Sequence, residues 1–364
     1  MTTATTLEYP ATRSAPAGRW TLDPRNNSLN LIRLVLAALV LVSHAYPLAG
    51  TGEGPRFADE TLGGWAVIGF FAISGYLITG SRLRTPFGTY LTHRIARIFP
   101  AFLACLVVTA FLFAPASWLV SRGSLAGFFS TPNTPLNYVL GNALLKMNDY
   151  SVAGTPVDVP YPGAWNGSLW TLYYEFLCYL VVGVLACWAV VRRSPWGLAG
   201  AFVASVLVQA FLPVVLQYTG QNQDVVFMAK LLPYFLGGAL VYVLRDRIPL
   251  RWPVALACTV VALTTVSIWN DWGGQAAAPL FAVALLWVGS VVPAPQWFQR
   301  NDISYGVYVY AFPVQQLLAT FGVHEWGMAP YILLAVPPTV ALAAASWYWI
   351  ERPVMRRARG RRAH

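Results

Sequence analysis

The chain has 364 residues, of which 57% are hydrophobic and only 10% charged, and its formal net charge is +10. A soluble domain carries about 25% charged residues, so most of this chain is not solvated by water and a soluble globular protein is excluded. The excess of positive charge does not indicate nucleic acid, because its placement follows the membrane topology described next.

Apolar runs of about 20 residues recur along nearly the whole chain, as a polytopic helical membrane protein requires. The expected fold is an all-α integral membrane protein with about ten transmembrane helices and both termini cytoplasmic. Residues 1–28, polar with Pro, Thr and Arg, read as a disordered cytoplasmic tail. Residues 29–350 read as the membrane domain and 351–364 as a basic cytoplasmic tail. The spans fall roughly at 29–49, 63–80, 98–119, 168–191, 196–217, 224–244, 252–269, 275–292, 302–321 and 329–350.

With the N-terminus inside, the cytoplasmic side collects Arg13, Arg19 and Arg25, then Arg82, Arg84, Arg94 and Arg97. Later come Arg192, Arg193, Arg245, Arg247, Arg251 and Arg300, and the tail from Arg352 to Arg362. Only Arg56, Arg122, Lys146 and Lys230 fall outside or at the outer boundary, which is the positive-inside pattern of a multi-pass plasma-membrane protein. Trp118, Trp165, Trp269 and Trp272 fall at outer ends and Trp188, Trp196, Trp252 and Trp347 at inner ends, as an aromatic belt would place them. The longest connection, about 121–166, lies outside and is long enough to cover a cavity. The four cysteines sit in apolar runs and read as packing residues.

The first span, NLIRLVLAALVLVSHAYP, carries Arg33 and His44 in an otherwise apolar run. Ionisable groups in hydrocarbon cost several kcal/mol unless they are paired or line a wet cavity. Eleven residues at about 100° each return to within about 20° of the starting face, with a rise of roughly 16 Å. The two therefore share one face, Arg33 toward the cytoplasm and His44 toward the outside. Separately, Arg33 snorkelling to headgroups and His44 finishing a helix would be the plain explanation.

In HRIARIFPAF, Arg94 and Arg97 stand three apart on a helix, where planar guanidinium groups suit phosphate. In GSLWTLYYEFLCYL, Ser168 and Glu175 are seven apart and share a face with Thr171. Glu175 falls about as deep as His44, where a carboxylate needs a partner. It is expected to orient an imidazole or to accept from a substrate hydroxyl, with a structural polar contact between helices as the plain alternative. No Cys/His cluster has zinc-like spacing, so no metal is expected.

Taken in order, RLVLAALVLVSHAYP, FFAISGYLIT, HRIARIFPAF, SLWTLYYEF, YFLGGAL, ISYGVYVYAFPV and WYWIERPVMRR resemble the membrane acyltransferase-3 family. The family O-acylates sugars, envelope glycans and metabolites. The resemblance spans about residues 29 to 357. It implies an acyl-CoA donor from the cytoplasm, most simply acetyl-CoA, and a carbohydrate, glycolipid or small hydroxylated acceptor at the outer side of the lipid bilayer. Arg33, Arg94, Arg97, Ser74 and Tyr305 would form the donor site, with helix packing as the alternative for Tyr305. Ser168, Trp170 and Thr171 would meet the acceptor. His44 is expected as general base with Glu175 holding its other nitrogen, or as a covalent acyl carrier. Arg33 would stabilise the donor or a developing oxyanion. Two departures matter: Ala311 stands where many members have a histidine, and no soluble esterase-like domain precedes His364, which favours direct transfer. The rival expectation is a transporter with His44, Arg33 and Glu175 as a proton or substrate path.

Overall fold

The computed structural model describes residues 22–23 and 26–360. Arg13, Arg19, Arg25, Arg361 and Arg362, with most of the expected N-terminal tail and the last four residues of the chain, lie outside the described residues. The side chains of Arg192 and Arg193 do so too. Eleven longer helices frame the site. They are α1 (Leu29–Leu48), α2 (Leu62–Arg84), α3 (Phe87–Val108), α4 (Trp170–Leu185), α5 (Trp196–Ala210) and α6 (Gln223–Leu244). They continue with α7 (Trp252–Ile268), α8 (Ala278–Val291), α9 (Ser304–Thr320), α10 (Met328–Ser346) and α11 (Arg352–Gly360). Among the described residues the only sheet is a hairpin, β1 (Arg56–Phe57) and β2 (Glu60–Thr61), between α1 and α2.

Five helices are long and apolar enough to cross a membrane, or six if the bent pair Trp196–Ala210 and Leu212–Tyr218, 84° apart, counts as one crossing. One of them runs unbroken from Phe87 to Arg122, and another from Met328 to Gly360, each through a single π-helical turn. α4, α7 and α8 are apolar but shorter, at 16, 17 and 14 residues. At 1.5 Å per residue these reach about 21–26 Å, short of a hydrocarbon core about 30 Å thick.

The centre of the bundle is α2 against α6. A side chain at Gly75 would fall 1.9 Å from the Phe235 carbonyl oxygen, and one at Gly238 would fall 2.0 Å from the Ala72 carbonyl oxygen. Glycine at both positions lets the two backbones touch, as small residues do where helices pack in lipid. α1 packs on α2 and α9, and α9 on α10. The outer connection folds over this core. Trp165 is fully buried in it, and Asn166 donates to Tyr138 and Thr109 hydroxyls, joining the cap to α3's continuation. Gln316 of α9 donates to the carbonyls of Tyr161 and Ala164 and ties the cap down from the other side.

Two expectations need correction. Trp118, Trp165 and Trp347 are buried packing residues, not belt residues, because each lies against the cap or the inner arginine cluster. Trp188, Trp196, Trp252 and Trp269 are exposed. Of the cysteines, Cys105 and Cys178 are buried, but Cys187 is exposed and Cys258 only partly covered.

Candidate active site

α1 connects two cavities. The inner one, about 810 Å³, is lined by Arg33, Arg94 and Arg97 at its floor, by Arg84 and Arg300, and by Arg352, Arg356 and Arg359 from one helix, α11. Asp302 is its one carboxylate among the described residues. The outer cavity, about 520 Å³, is lined by His44, Ser43, Ser168, Trp170, Thr171, Tyr308 and Phe312, and by the charged residues of the α1–α2 connection. Between them lies a hollow of about 30 Å³ bordered by Arg33, Phe70, Glu175, Tyr305, Thr171 and Tyr308. A water needs about 10–15 Å³ of such space, so the hollow holds one or two. Arg33 borders both the inner cavity and the hollow, while Thr171 and Tyr308 border both the hollow and the outer cavity. The order along the path is Arg33, Glu175, the Thr171–Tyr308 pair, then His44.

The floor of the inner cavity is a network of charges. Arg33 Nη1 donates to Asp302 Oδ2 at 2.7 Å, and Arg97 Nη2 donates to the same oxygen at 2.5 Å. Arg97 Nη1 donates to Glu351 Oε2 at 3.1 Å, and Ser346 donates to Oε1 of that carboxylate. The other oxygen of Asp302 accepts from the backbone and hydroxyl of Ser304, the first residue of α9, where a negative charge also suits the helix dipole. Arg97 is thus claimed by two carboxylates. Arg94 has none among the described residues. Its guanidinium lies 6.0 Å from the Tyr90 ring centre and 5.9 Å from that of Tyr179, and its Nε is buried without a hydrogen-bond partner. Of the two arginines read from HRIAR, Arg94 is the one with donors to spare for an anion.

At the other end, His44 sits in the last turn of α1, partly exposed to the outer cavity. Phe312 meets the imidazole edge-on, with ring centres 5.2 Å apart. Its Nδ1 is buried and lacks a partner of good geometry, and the Val40 carbonyl of the preceding turn is the backbone acceptor acting on the ring. Ser168, beside it in the cavity wall, has a buried hydroxyl with no partner. Tyr308 donates to the Ser168 carbonyl at 2.7 Å, so its one proton is used and the adjoining Thr171 hydroxyl is the donor in their contact. Trp170 lines the same cavity and packs against Phe227 at a tilt of 41°, ring centres 4.4 Å apart.

The expected pairing of Glu175 with His44 is not found. Glu175 accepts from the hydroxyls of Ser74 and Tyr179, both at 2.8 Å, and borders the hollow instead of the outer cavity. The reason is depth. α4 begins only at Trp170, beneath the folded cap, and Glu175 lies level with Ser74, twelve residues into the 23-residue α2. That is about 18 Å along α2, near the bundle's middle, whereas His44 is one turn from the end of α1. Two other expected donor-site hydroxyls are likewise spent within the protein: Ser74 on Glu175, and Tyr305 on the Ile98 carbonyl at 2.8 Å.

Sequence reasoning missed Asp302 and Glu351, which organise the inner cavity. A signal was present. The chain has only 14 acidic residues against 24 basic ones, and these two stand at inner helix ends where most of the arginines collect. The missed wall is α11, expected as part of a tail. Lys230, read as an outer-end residue, pairs with Glu60 of β2 at the edge of the outer cavity.

The acyltransferase-3 family model, described as an acyltransferase domain, matches residues 26–348. An "O-acetyl transferase" of Shigella phage Sf6 is 32% identical over 348 residues, covering 92% of this chain and 97% of the relative. "Nodulation protein 10" of Rhizobium leguminosarum bv. viciae is 28% identical over 375 residues, covering 94% and 96%. No solved structure matches. With the family model covering residues 26–348 and a relative 32% identical over 92% of this chain, the chain belongs to the acyltransferase-3 family and is an acyltransferase.

Proposed function

We propose that the protein moves an acyl group, in the simplest case acetyl, from acyl-CoA on the cytoplasmic side to a hydroxyl of a carbohydrate, glycolipid or other small hydroxylated acceptor on the outer side. The observation that carries this reading is the pair of polar cavities at opposite ends of α1, one rich in guanidinium and one holding an imidazole, with only a water-sized hollow between them. The resemblance to a phage O-acetyl transferase supports acetyl as the group moved. Ten crossings of the plasma membrane with both termini inside complete the picture, counting the bent pair as one crossing and α4, α7, α8 and α9 as four more beside the five long helices, with the distribution of arginines as the support.

The inner cavity fits the donor. Its volume falls within the roughly 300–1,000 Å³ of small-molecule sites, and Arg94 offers a buried guanidinium with an unsatisfied donor. Arg97 acts mainly through Asp302 and Glu351, holding the floor in shape. Arg33 is roughly 16 Å from His44 along α1, farther than one arginine side chain spans. It therefore steadies the donor at the mouth of the hollow and does not touch a carbonyl beside His44.

The donor thioester supplies an activated carbonyl and a thiol leaving group. To reach His44 it passes Phe70 and the Thr171–Tyr308 pair, so these side chains shift during the reaction. Neutral His44 accepts the proton of the attacking acceptor hydroxyl as the oxygen–carbon bond forms. It returns that proton to sulfur as the carbon–sulfur bond breaks. Ser168, with its unpartnered hydroxyl, and Trp170 hold the acceptor.

The test uses purified protein in vesicles with acetyl-CoA labelled in the acetyl group and an oligosaccharide extracted from the envelope. A labelled, alkali-sensitive ester on the oligosaccharide is the expected product. Movement of the oligosaccharide across the vesicle without any ester contradicts the reading.

A further inference from the structure

We propose that α11 reads the 3′-phosphate of coenzyme A, through Arg356 and Arg359. The inference rests on the acyl-CoA reading above and goes beyond it by assigning a phosphate monoester to a helix outside the region matched by the family model, which ends at residue 348.

Arg352, Arg356 and Arg359 follow one another by four and three residues, so they stand on one face of the helix. All three line the inner cavity, while Arg357, off that face, does not. Among the described residues no carboxylate pairs with any of the three. Arg352 only rests over the Tyr348 ring, 5.9 Å from its centre. Like charges at this spacing repel and weaken a helix. The floor arginines answer the same problem with Asp302 and Glu351, but the α11 arginines have no such answer inside the chain. A soluble anion supplies it.

The position of α11 is set by the same network. Glu351, immediately before it, is fully buried and bonded to Arg97 and Ser346, so the helix leaves the floor of the cavity in a defined direction. Arg356 and Arg359 lie five and eight residues beyond Glu351, about 7.5 and 12 Å along the axis. A donor whose thioester passes through the hollow toward His44 trails its pantetheine arm through the hollow, then its diphosphate, and its 3′-phosphorylated ribose and adenine last. The trailing phosphate therefore falls at the cavity mouth, where these two guanidinium groups stand. A phosphate monoester accepts paired guanidinium bonds well. Phosphate groups of inner-leaflet lipids share this chemistry, but the arginines' placement on the cavity wall favours the soluble donor.

The experiment compares kcat/KM for acetyl-CoA and acetyl-3′-dephospho-CoA in the wild type, in R356Q/R359Q and in R356K/R359K. The wild type should prefer acetyl-CoA by about tenfold to a hundredfold, the loss expected for charge-assisted bonds. In R356Q/R359Q the ratio should fall toward one, and R356K/R359K should recover part of it. A double glutamine variant that keeps the wild-type ratio, or a wild type with no preference, overturns the inference while leaving the acyl-CoA donor standing. A wild type inactive on both donors overturns the donor reading itself. Repeating the comparison in vesicles of phosphatidylcholine with and without phosphatidylglycerol separates the two phosphate sources. A defect confined to vesicles with phosphatidylglycerol, at an unchanged donor ratio, assigns the arginines to lipid and overturns the proposal.

Discussion

Arg33 Nη1 lies 2.7 Å from Asp302 Oδ2, so the guanidinium where the inner cavity meets the hollow is held by a carboxylate 269 residues away in the chain. Because Arg97 uses the same oxygen, Asp302 fixes the spacing of two arginines from two helices. Removing one member of a buried ionic cluster leaves the others uncompensated, at a cost of about 3–5 kcal/mol. Asp302→Asn should lower the thermal midpoint in detergent clearly and reduce donor affinity at the same time. An unchanged midpoint contradicts the role assigned to this carboxylate.

Arg94 and Arg97 are separable by their partners. Arg97→Gln abandons Asp302 and the fully buried Glu351, and should chiefly reduce stability, again by about 3–5 kcal/mol. Arg94→Gln breaks no ion pair among the described residues, and should chiefly raise KM for acetyl-CoA, by about tenfold, with the thermal midpoint nearly preserved. Thermal melts and donor titrations on both variants check this; the opposite assignment of effects would contradict the structure.

How much of this was legible beforehand differs by residue. The shared face of Arg33 and His44 follows from helix periodicity within one element, and α1 runs unbroken through both positions. Local spacing is enough for that. Glu175 was placed correctly on a membrane helix but given the wrong neighbour, because counting residues from a guessed span end cannot register that packing brings it to Ser74, 101 residues away on α2. Asp302 and Glu351 meet Arg33 and Arg97 only through tertiary packing, over separations of 205 to 269 residues. No local pattern encodes which arginine each would meet. α11 was read as tail because its residues are strongly basic, yet the helix of α10 carries straight on through Glu351 to Gly360. The apolar runs themselves were legible; where helices of 14–17 residues start and stop was not.

Glu175 supplies a direct check on that revision. Its bonds are to Ser74 and Tyr179, so Glu175→Gln keeps an acceptor for both hydroxyls. The variant should retain activity within about tenfold, losing about 1 kcal/mol for a weakened bond. A loss near that of removing His44 would restore Glu175 as a direct partner of the imidazole.

The constriction between the cavities also makes a measurable claim. Tyr308→Ala removes the ring and the hydroxyl that separate the hollow from the outer cavity. Water then gains access to the thioester, and hydrolysis of acetyl-CoA without acceptor should rise severalfold while ester formation on the acceptor falls. Tyr308→Phe keeps the ring and removes only the hydroxyl; the Thr171 hydroxyl still reaches the Ser168 carbonyl at 3.3 Å, so the variant should cost about 1 kcal/mol of stability with little leakage. Free thiol release, followed with and without acceptor, distinguishes these results.

The imidazole in the outer cavity is where the account commits most. General-base assistance contributes about 10²- to 10⁴-fold, so His44→Ala, in a purified variant with an unaltered thermal midpoint, should lower kcat for acetyl transfer by that factor. KM for acetyl-CoA should stay close to wild type, since the proposed phosphate site lies in the arginine-rich cavity at the far end of α1. A His44→Ala enzyme that transfers acetyl within tenfold of the wild-type rate would contradict it.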